Sequence, residues 1–240
     1  GFLLERSRSD TYRVKAYRGA ADALEAMPAE ERARRQAEGS WAKATGVGPK
    51  TATVITQALA GRVPDYLQQL RDDREPLVEG GAAMRAAVRG DLHTHSVWSD
   101  GGSPVEEMMA TARTLGHEYC VITDHSPRLT VARGLTAERL QEQMALTARL
   151  GEEMAPFRVL QGIEVDILED GGLDQTDALL ARLDVVVASV HSKLRSDSET
   201  MTHRMVGAIA NRRTNVLGHC TGRLIEGARG TRPESVFDAE

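Results

Sequence analysis

The chain has 240 residues, 41% hydrophobic and 27% charged, enough apolar material for one large core or one large and one small, which excludes a disordered protein. No apolar run approaches the roughly 20 residues needed to span a bilayer and no signal-like segment opens the chain, so the expected location is cytoplasmic. With 30 Lys and Arg against 35 Asp and Glu the balance is mildly acidic, which argues against a surface that coats nucleic acid throughout, and Cys120 and Cys220 read as core thiols rather than a disulfide or a cysteine zinc site.

Residues 1–80 carry 13 basic and 12 acidic side chains, residues 81–240 carry 17 and 23. The first part is almost free of β-branched runs, whereas the second alternates short Val/Ile-rich stretches with helical patterns. The texture changes at Glu79-Gly80-Gly81, so a small domain over 1–80 and a larger one over 81–240 are expected. The chain opens at Gly1-Phe2-Leu3-Leu4-Glu5 inside a helical pattern and stops at Phe237-Asp238-Ala239-Glu240 without a terminating element, so both ends read as cut.

Ser9 or Asp10 can cap a helix whose apolar positions Val14, Tyr17, Ala21 and Leu24 share one face, with Pro28 just past its end. A second helix is predicted from Pro49 through Ala52, Ile55 and Leu59 to Gly61. The turn before it, Gly46-Val47-Gly48-Pro49-Lys50, would aim backbone N–H groups outward at a helix N-terminus, a geometry that suits a phosphate, with Lys50 adding a point charge. The plainer alternative is a helical hairpin that only packs. Thr11-Tyr12-Arg13-Val14-Lys15-Ala16-Tyr17-Arg18-Gly19-Ala20-Ala21, this turn, and Leu70-Arg71-Asp72-Asp73 together resemble the all-α helix-hairpin-helix domain that opens family X DNA polymerases, over about residues 2–75. The resemblance implies sequence-independent DNA binding by Gly46, Gly48 and Lys50. It also implies a Schiff-base lysine one turn later, where this chain has Val54, which lacks the amine that lyase chemistry needs.

From residue 90 onward, five apolar stretches that read as strands end in metal-competent residues: Asp91-Leu92-His93-Thr94-His95, Val121-Ile122-Thr123-Asp124-His125, Gly162-Ile163-Glu164, Val187-Ala188-Ser189-Val190-His191 and Val216-Leu217-Gly218-His219. The intervals between their last residues, 30, 39, 27 and 28, match one strand-helix unit each, so successive parallel strands of an α/β barrel are predicted. Ser103-Pro104-Val105-Glu106 reads as a capping box opening one connecting helix that ends near Gly116, and another helix runs from about Thr136 to Gly151. His93 and His95, two apart on a strand, share a face, with Thr94 turned toward the surrounding helices. Imidazoles and carboxylates at the C-terminal ends of strands suit two or three ions of Mn²⁺, Fe²⁺ or Zn²⁺ better than Mg²⁺. His117 and His203 lack such neighbours and read as ordinary.

These motifs, with Ser96, Ser99-Asp100-Gly101, Ser126 and Ser192, resemble those of the PHP (polymerase and histidinol phosphatase) family over about residues 88–240. The resemblance implies a distorted barrel of seven strand-helix units with a trinuclear metal site that hydrolyses phosphoesters. By matching position it implies His93, His95, Asp100, His125, Glu164, His191 and His219 as ligands, Glu164 as the bridge, and Asp124 as a catalytic-site group orienting an imidazole. The family's later Asp-x-His strand lies beyond this sequence, so the expected barrel lacks its closing strands and two ligands, with weak activity as the consequence.

Arg128, Lys193, Arg195 and Arg223, just past these strand ends, either grip the substrate phosphate or are solvated surface. Trp41 and Trp98 read as packing residues, and Arg32-Ala33-Arg34-Arg35 as a solvated helix face. The combined reading is a metal-dependent phosphoesterase acting on DNA ends or damaged DNA, as a nuclease or 3′-phosphatase. The roughly 15 residues between the two modules leave no room for a polymerase domain. A small-molecule phosphatase of histidinol-phosphatase type and a non-catalytic DNA-binding protein are the alternatives.

Overall fold

The computed structural model describes residues 1–7, 9–73 and 80–223. Glu79 of the expected boundary and the Phe237-Asp238-Ala239-Glu240 terminus lie outside them. The chain divides into two compact units, Gly1–Gly81 and Ala82–Glu240.

The first unit is helical: α1 (Phe2–Arg6), α2 (Thr11–Glu25), α3 (Ala29–Glu38), a 3-10 turn at Trp41–Lys43, α4 (Pro49–Leu59) and α5 (Asp65–Asp72). Asp10 starts α2 by accepting a hydrogen bond from Tyr12 N at 2.7 Å, which satisfies one of the orphan donors of the first turn. Gly39, in the left-handed region, ends α3. That helix buries no residue; Arg32 and Arg34 are exposed, Arg34 pairing with Glu38, whereas Arg35 is mostly covered and binds Glu31 at 2.6 Å and the Ser40 carbonyl at 3.3 Å, so the basic run is solvated at all but Arg35. Ala20, Trp41, Ala44, Val47, Ala52 and Ile55 form the small core, with the Trp41 indole N–H donated to Gln36 at 2.9 Å.

The second unit carries α6 (Ala82–Ala87) and a five-stranded sheet in the order of the chain: β1 (Gly90–Thr94), β2 (Tyr119–Ile122), β3 (Arg158–Asp166), β4 (Val185–Ser189) and β5 (Val216–Leu217). Every neighbouring pair is parallel, and the sheet curls as part of an open α/β barrel. The connections carry α7 (Val105–Thr114), α8 (Ala137–Glu153), α9 (Asp177–Leu180) and α10 (Ser198–Ala210). β4 is buried along its whole length, as a strand covered on both faces must be, and reads as a continuous apolar run. Ile163, Val165, Val186, Ala188, Leu140, Met201 and Met205 meet in the largest core cluster. Each large side chain buried there contributes about 1.5–3 kcal/mol. Gly162 permits the close approach of β3 and β4, since a Cβ there would lie 2.6 Å from the Val185 carbonyl.

One local expectation is corrected. Ser103 does not form a capping box: Pro104 is the N-cap of α7, without a side-chain cap bond. Ser103 is buried and its carbonyl accepts from Val97 N at 2.9 Å, so the residue closes the loop before the helix rather than capping it. Thr94 donates its hydroxyl to the Val121 carbonyl at 2.6 Å, bracing β1 against β2, and lies 3.7 Å from Cys120 Sγ, which packs in the cluster shared with α7 and α8.

Candidate metal centre

The barrel's strand ends and the loops that follow them bring the ligand-type residues together. His93 lies in β1 and His95 one residue past it, on the same side of the chain by strand alternation. The next loop folds back on itself through Gly101, whose N–H bonds the Ser96 carbonyl at 2.8 Å. A Cβ at Gly101 would lie 2.4 Å from the His95 carbonyl, so only glycine lets Asp100 return to the histidines. His125 follows β2, Glu164 is within β3, and His191 and His219 follow β4 and β5.

Glu164 is the hub of this arrangement. Its side chain is 2% exposed and Oε2 lies 3.3 Å from His93 Nε2, 3.4 Å from His95 Nε2 and 3.0 Å from His125 Nδ1. Oε1 lies 3.3 Å from His191 Nε2 and 2.8 Å from His219 Nε2. Asp100, half exposed, stands 3.4 Å from both His95 Nδ1 and His125 Nε2. Three overlapping ligand sets result: His93, His95 and Glu164; His95, Asp100 and His125; and His125, Glu164 and His191. Within each, the donor atoms lie within 4.8 Å of one another. His219 joins the hub through Glu164, while His117 and His203 belong to none of the three sets among the described residues.

Burial pushes the Glu164 carboxyl up, but hydrogen bonds from His191, His219 and His93 outweigh it and hold the group well below the usual carboxylate range. Burial pushes His191 down, but hydrogen bonds to Asp166 and Glu164 raise it to about 9. His125 is lowered, chiefly by burial. The buried Nδ1 atoms of His95 and His125 make no hydrogen bond, a cost that a divalent cation among these nitrogens and oxygens would remove. The donor set, imidazoles with one buried and one exposed carboxylate, fits borderline first-row ions.

Asp124 is placed differently from the expectation. Its carboxylate accepts from Ser96 N at 2.8 Å, Ser96 Oγ at 2.6 Å, Ser99 Oγ at 2.5 Å and Gln143 Nε2 at 2.6 Å, so it is spent on the loop between His95 and Asp100 and on α8, not on an imidazole. A carboxylate outside the three ligand sets that does bind a ring is Asp166, hydrogen-bonded to His191 Nδ1. Sequence reasoning passes over it, although its spacing of two from Glu164 puts it on the same face of β3. Arg128, Lys193, Arg195 and Arg223 are exposed on loops after β2, β4 and β5. Trp98 packs under the Arg139 guanidinium, 5.9 Å from the ring centre, at the edge of the Asp100 loop.

In the helical unit, Gly46 takes φ +80° and Gly48 is the N-cap of α4, with Lys50 exposed in its first turn. The hairpin spends two of its own N–H groups internally, Val47 N on the Ala44 carbonyl at 3.1 Å and Gly48 N on Thr51 Oγ1 at 2.9 Å. The Val47 and Gly48 N–H groups are therefore not among the outward-facing donors expected of this turn, while the α4 first turn keeps its own. Lys50 also lines a groove of about 430 Å³ with Arg13, Tyr17, Val54 and Tyr66, whose two tyrosine rings stack at 5.7 Å.

Comparison with known proteins follows the same division. The family model described as PHP domain matches residues 91–226, and that described as helix-hairpin-helix domain matches residues 1–63. The chain is 45% identical over 138 residues to a DNA polymerase/3'-5' exonuclease PolX of Bacillus subtilis (strain 168), covering 58% of this chain and 24% of that protein. It is 31% identical over 134 residues to a probable phosphatase of Thermoanaerobacter sp. (strain X514), covering 54% of this chain and 52% of that one. A probable phosphatase of Citrobacter koseri is 30% identical over 134 residues, covering 54% and 52%. The chain thus spans between a quarter and about half of the length of these relatives.

Proposed function

Because this chain belongs to the PHP family, we propose that it is a metal-dependent phosphoesterase that acts on DNA ends or damaged DNA, as a nuclease or 3′-phosphatase. The observation that carries this reading is the buried Glu164 carboxylate encircled by five imidazoles with Asp100 beside them. His93, His95, Asp100, His125, Glu164, His191 and His219 would hold two or three divalent ions of Mn, Zn or Fe, with Glu164 shared between them. Bound there, the ions would supply an activated water and neutralise charge on the phosphoryl oxygens.

The remaining steps belong to the protein. Arg128, Lys193, Arg195 and Arg223 stand on loops after the strands that carry the ligands, where guanidinium and ammonium groups match phosphate oxygens. Asp124 holds the loop that presents His95 and Asp100, keeping both in register while substrate enters. The helix-hairpin-helix unit would contact DNA through the α4 first turn and Lys50, reading phosphates rather than bases. The PolX relative, named as an exonuclease, supports a DNA substrate.

A second reading, a phosphatase of small phosphoesters, is favoured by the relatives named probable phosphatases. One manganese-loaded preparation assayed on nicked duplex, single-stranded DNA and histidinol phosphate separates the two. Hydrolysis of DNA in preference to histidinol phosphate is expected, and the reverse preference overturns the DNA assignment.

A further inference from the structure

Asp166 belongs to none of the three ligand sets, yet it is buried at 3% exposure directly behind one of their members. A carboxylate removed from water costs several kcal/mol unless charge or hydrogen bonds compensate it. Its carboxylate is directed to Nδ1 of His191. The backbone on either side of that contact is fixed. Asp166 N donates a hydrogen bond to Ser126 Oγ at 3.0 Å, its carbonyl accepts from Asp174 N at 3.0 Å, and it pairs in register with Ser189, two residues before His191.

We propose that Asp166 is a positioning residue that fixes the tautomer and ring plane of His191, so that Nε2 presents its lone pair to the ion shared with Glu164. A neutral imidazole carries a proton on only one nitrogen. With Nδ1–H donated to Asp166, Nε2 is left as the acceptor, and it is Nε2 that faces the hub, 3.3 Å from Glu164 Oε1. The other rings lack this arrangement among the described contacts. His95 and His125 meet Asp100 and Glu164, both members of the ligand sets themselves, whereas the partner of His191 stands outside the sets. Glu164 and Asp166, two apart on β3, therefore hold opposite edges of the same imidazole: the first from the metal side, the second from behind. Carboxylates placed this way orient ligand histidines and raise their basicity.

This role rests on the metal-site reading above, and the test separates the two. Asp166→Ala and Asp166→Asn are made alone and in a His191→Ala background. Mn²⁺ binding is followed by titration calorimetry, and Co²⁺ binding by its visible absorption. Either single variant should weaken the ion held by Glu164 and His191 by about 10–100-fold, Asn at the lower end, and leave the ion at His95, Asp100 and His125 in place. In the His191→Ala background neither change at Asp166 should weaken binding further. Affinity equal to wild type in both variants overturns the proposal. So does an equal additional loss without His191, which would mean that Asp166 acts through the fold at large. Should Asp166→Ala fail to fold, the near-isosteric Asp166→Asn decides the question. Wild-type protein that takes up no ion overturns the metal-site reading itself, and this role with it.

Discussion

Gly218 stands against Ser189: a Cβ built on the glycine would lie 2.3 Å from the serine Oγ and 2.9 Å from Val187 Cγ1. Ser189 is fully buried at the end of β4, and Gly218 hands the chain from β5 to His219. Gly218→Ala must therefore displace the buried Ser189 hydroxyl and Val187 side chain of β4 or shift the backbone that carries His219. Overpacking of this kind costs about 1–3 kcal/mol, read as a shift of the urea midpoint, and should be accompanied by loss of bound metal. Wild-type stability together with wild-type metal content would show that the site tolerates this displacement.

Asp124 makes the second prediction. Four donors converge on its buried carboxylate, and Asp124→Ala would strand Ser96, Ser99 and Gln143 without their acceptor. Charged hydrogen bonds contribute about 1.5–3 kcal/mol each, so the loss should reach several kcal/mol. Asp124→Asn, which keeps one acceptor oxygen, should cost less. Because the loop between His95 and Asp100 hangs on this carboxylate, metal binding should fall more steeply than stability in the Asn variant. Calorimetric titration beside chemical denaturation of the same preparation compares the two.

The distribution of what is legible in the sequence follows from these contacts. His93, His95, His125, Glu164, His191 and His219 are visible because strand alternation and strand-helix spacing are one-dimensional patterns, and each residue lies within a short strand or a few residues past one. The parallel order of the five strands follows from the same spacing. Asp166 is invisible for the opposite reason: an acidic residue two past Glu164 acquires its partner only when the chain leaving β4 returns His191 to the end of β3. Asp124 is visible but misassigned, because adjacency to His125 suggests an imidazole partner, whereas its carboxylate is taken by Ser96, Ser99 and Gln143, which are distant in sequence. The hairpin glycines show the turn, but not that the Thr51 hydroxyl occupies the Gly48 N–H.

The metal-free protein should lose stability with rising pH across a defined window. Burial lowers His191, but Asp166 and Glu164 raise it to about 9 from 6.5. A group whose folded value is raised contributes stability in full below its unfolded value and loses it as pH passes the folded one. The contribution is therefore complete below about 6.5 and gone above about 9. Denaturation of chelator-treated protein at pH 6.5, 8 and 9.5 should show this decline, and His191→Ala should flatten it. Metal uptake at pH 7.5 should displace the same proton, seen as a buffer-dependent enthalpy of binding.

Removing the metal should abolish hydrolysis and lower the melting temperature together. An ion that binds only the folded chain adds about 2.7 kcal/mol at a hundredfold excess over its dissociation constant. Thermal melts before and after chelation, then after Mn²⁺ is restored, should trace a reversible shift. Glu164→Gln, which removes the charge at the centre of five imidazoles, should erase the shift. A chelator that leaves both activity and melting temperature untouched would remove the metals from the mechanism.

The helical unit yields the last prediction. If Lys50 meets a phosphate at the α4 N-terminus, DNA binding should be indifferent to sequence and should weaken linearly on a log-log plot against salt. Lys50→Ala removes one phosphate contact and should reduce the slope by about one, with a uniform loss of affinity across sequences. Arg13 lines the same groove as Lys50, so Arg13→Ala should act in the same direction, and the double variant should lose about two units of slope if both groups touch the backbone. Fluorescence anisotropy with labelled nicked and intact duplexes over a salt series measures all four proteins. Val54 occupies the same groove with no amine to attack a sugar aldehyde, so borohydride treatment of the protein with an abasic duplex should trap no adduct there. Equal slopes for wild type and both single variants would move the DNA contact off this hairpin, and an adduct mapped to another lysine would reopen lyase chemistry at that residue.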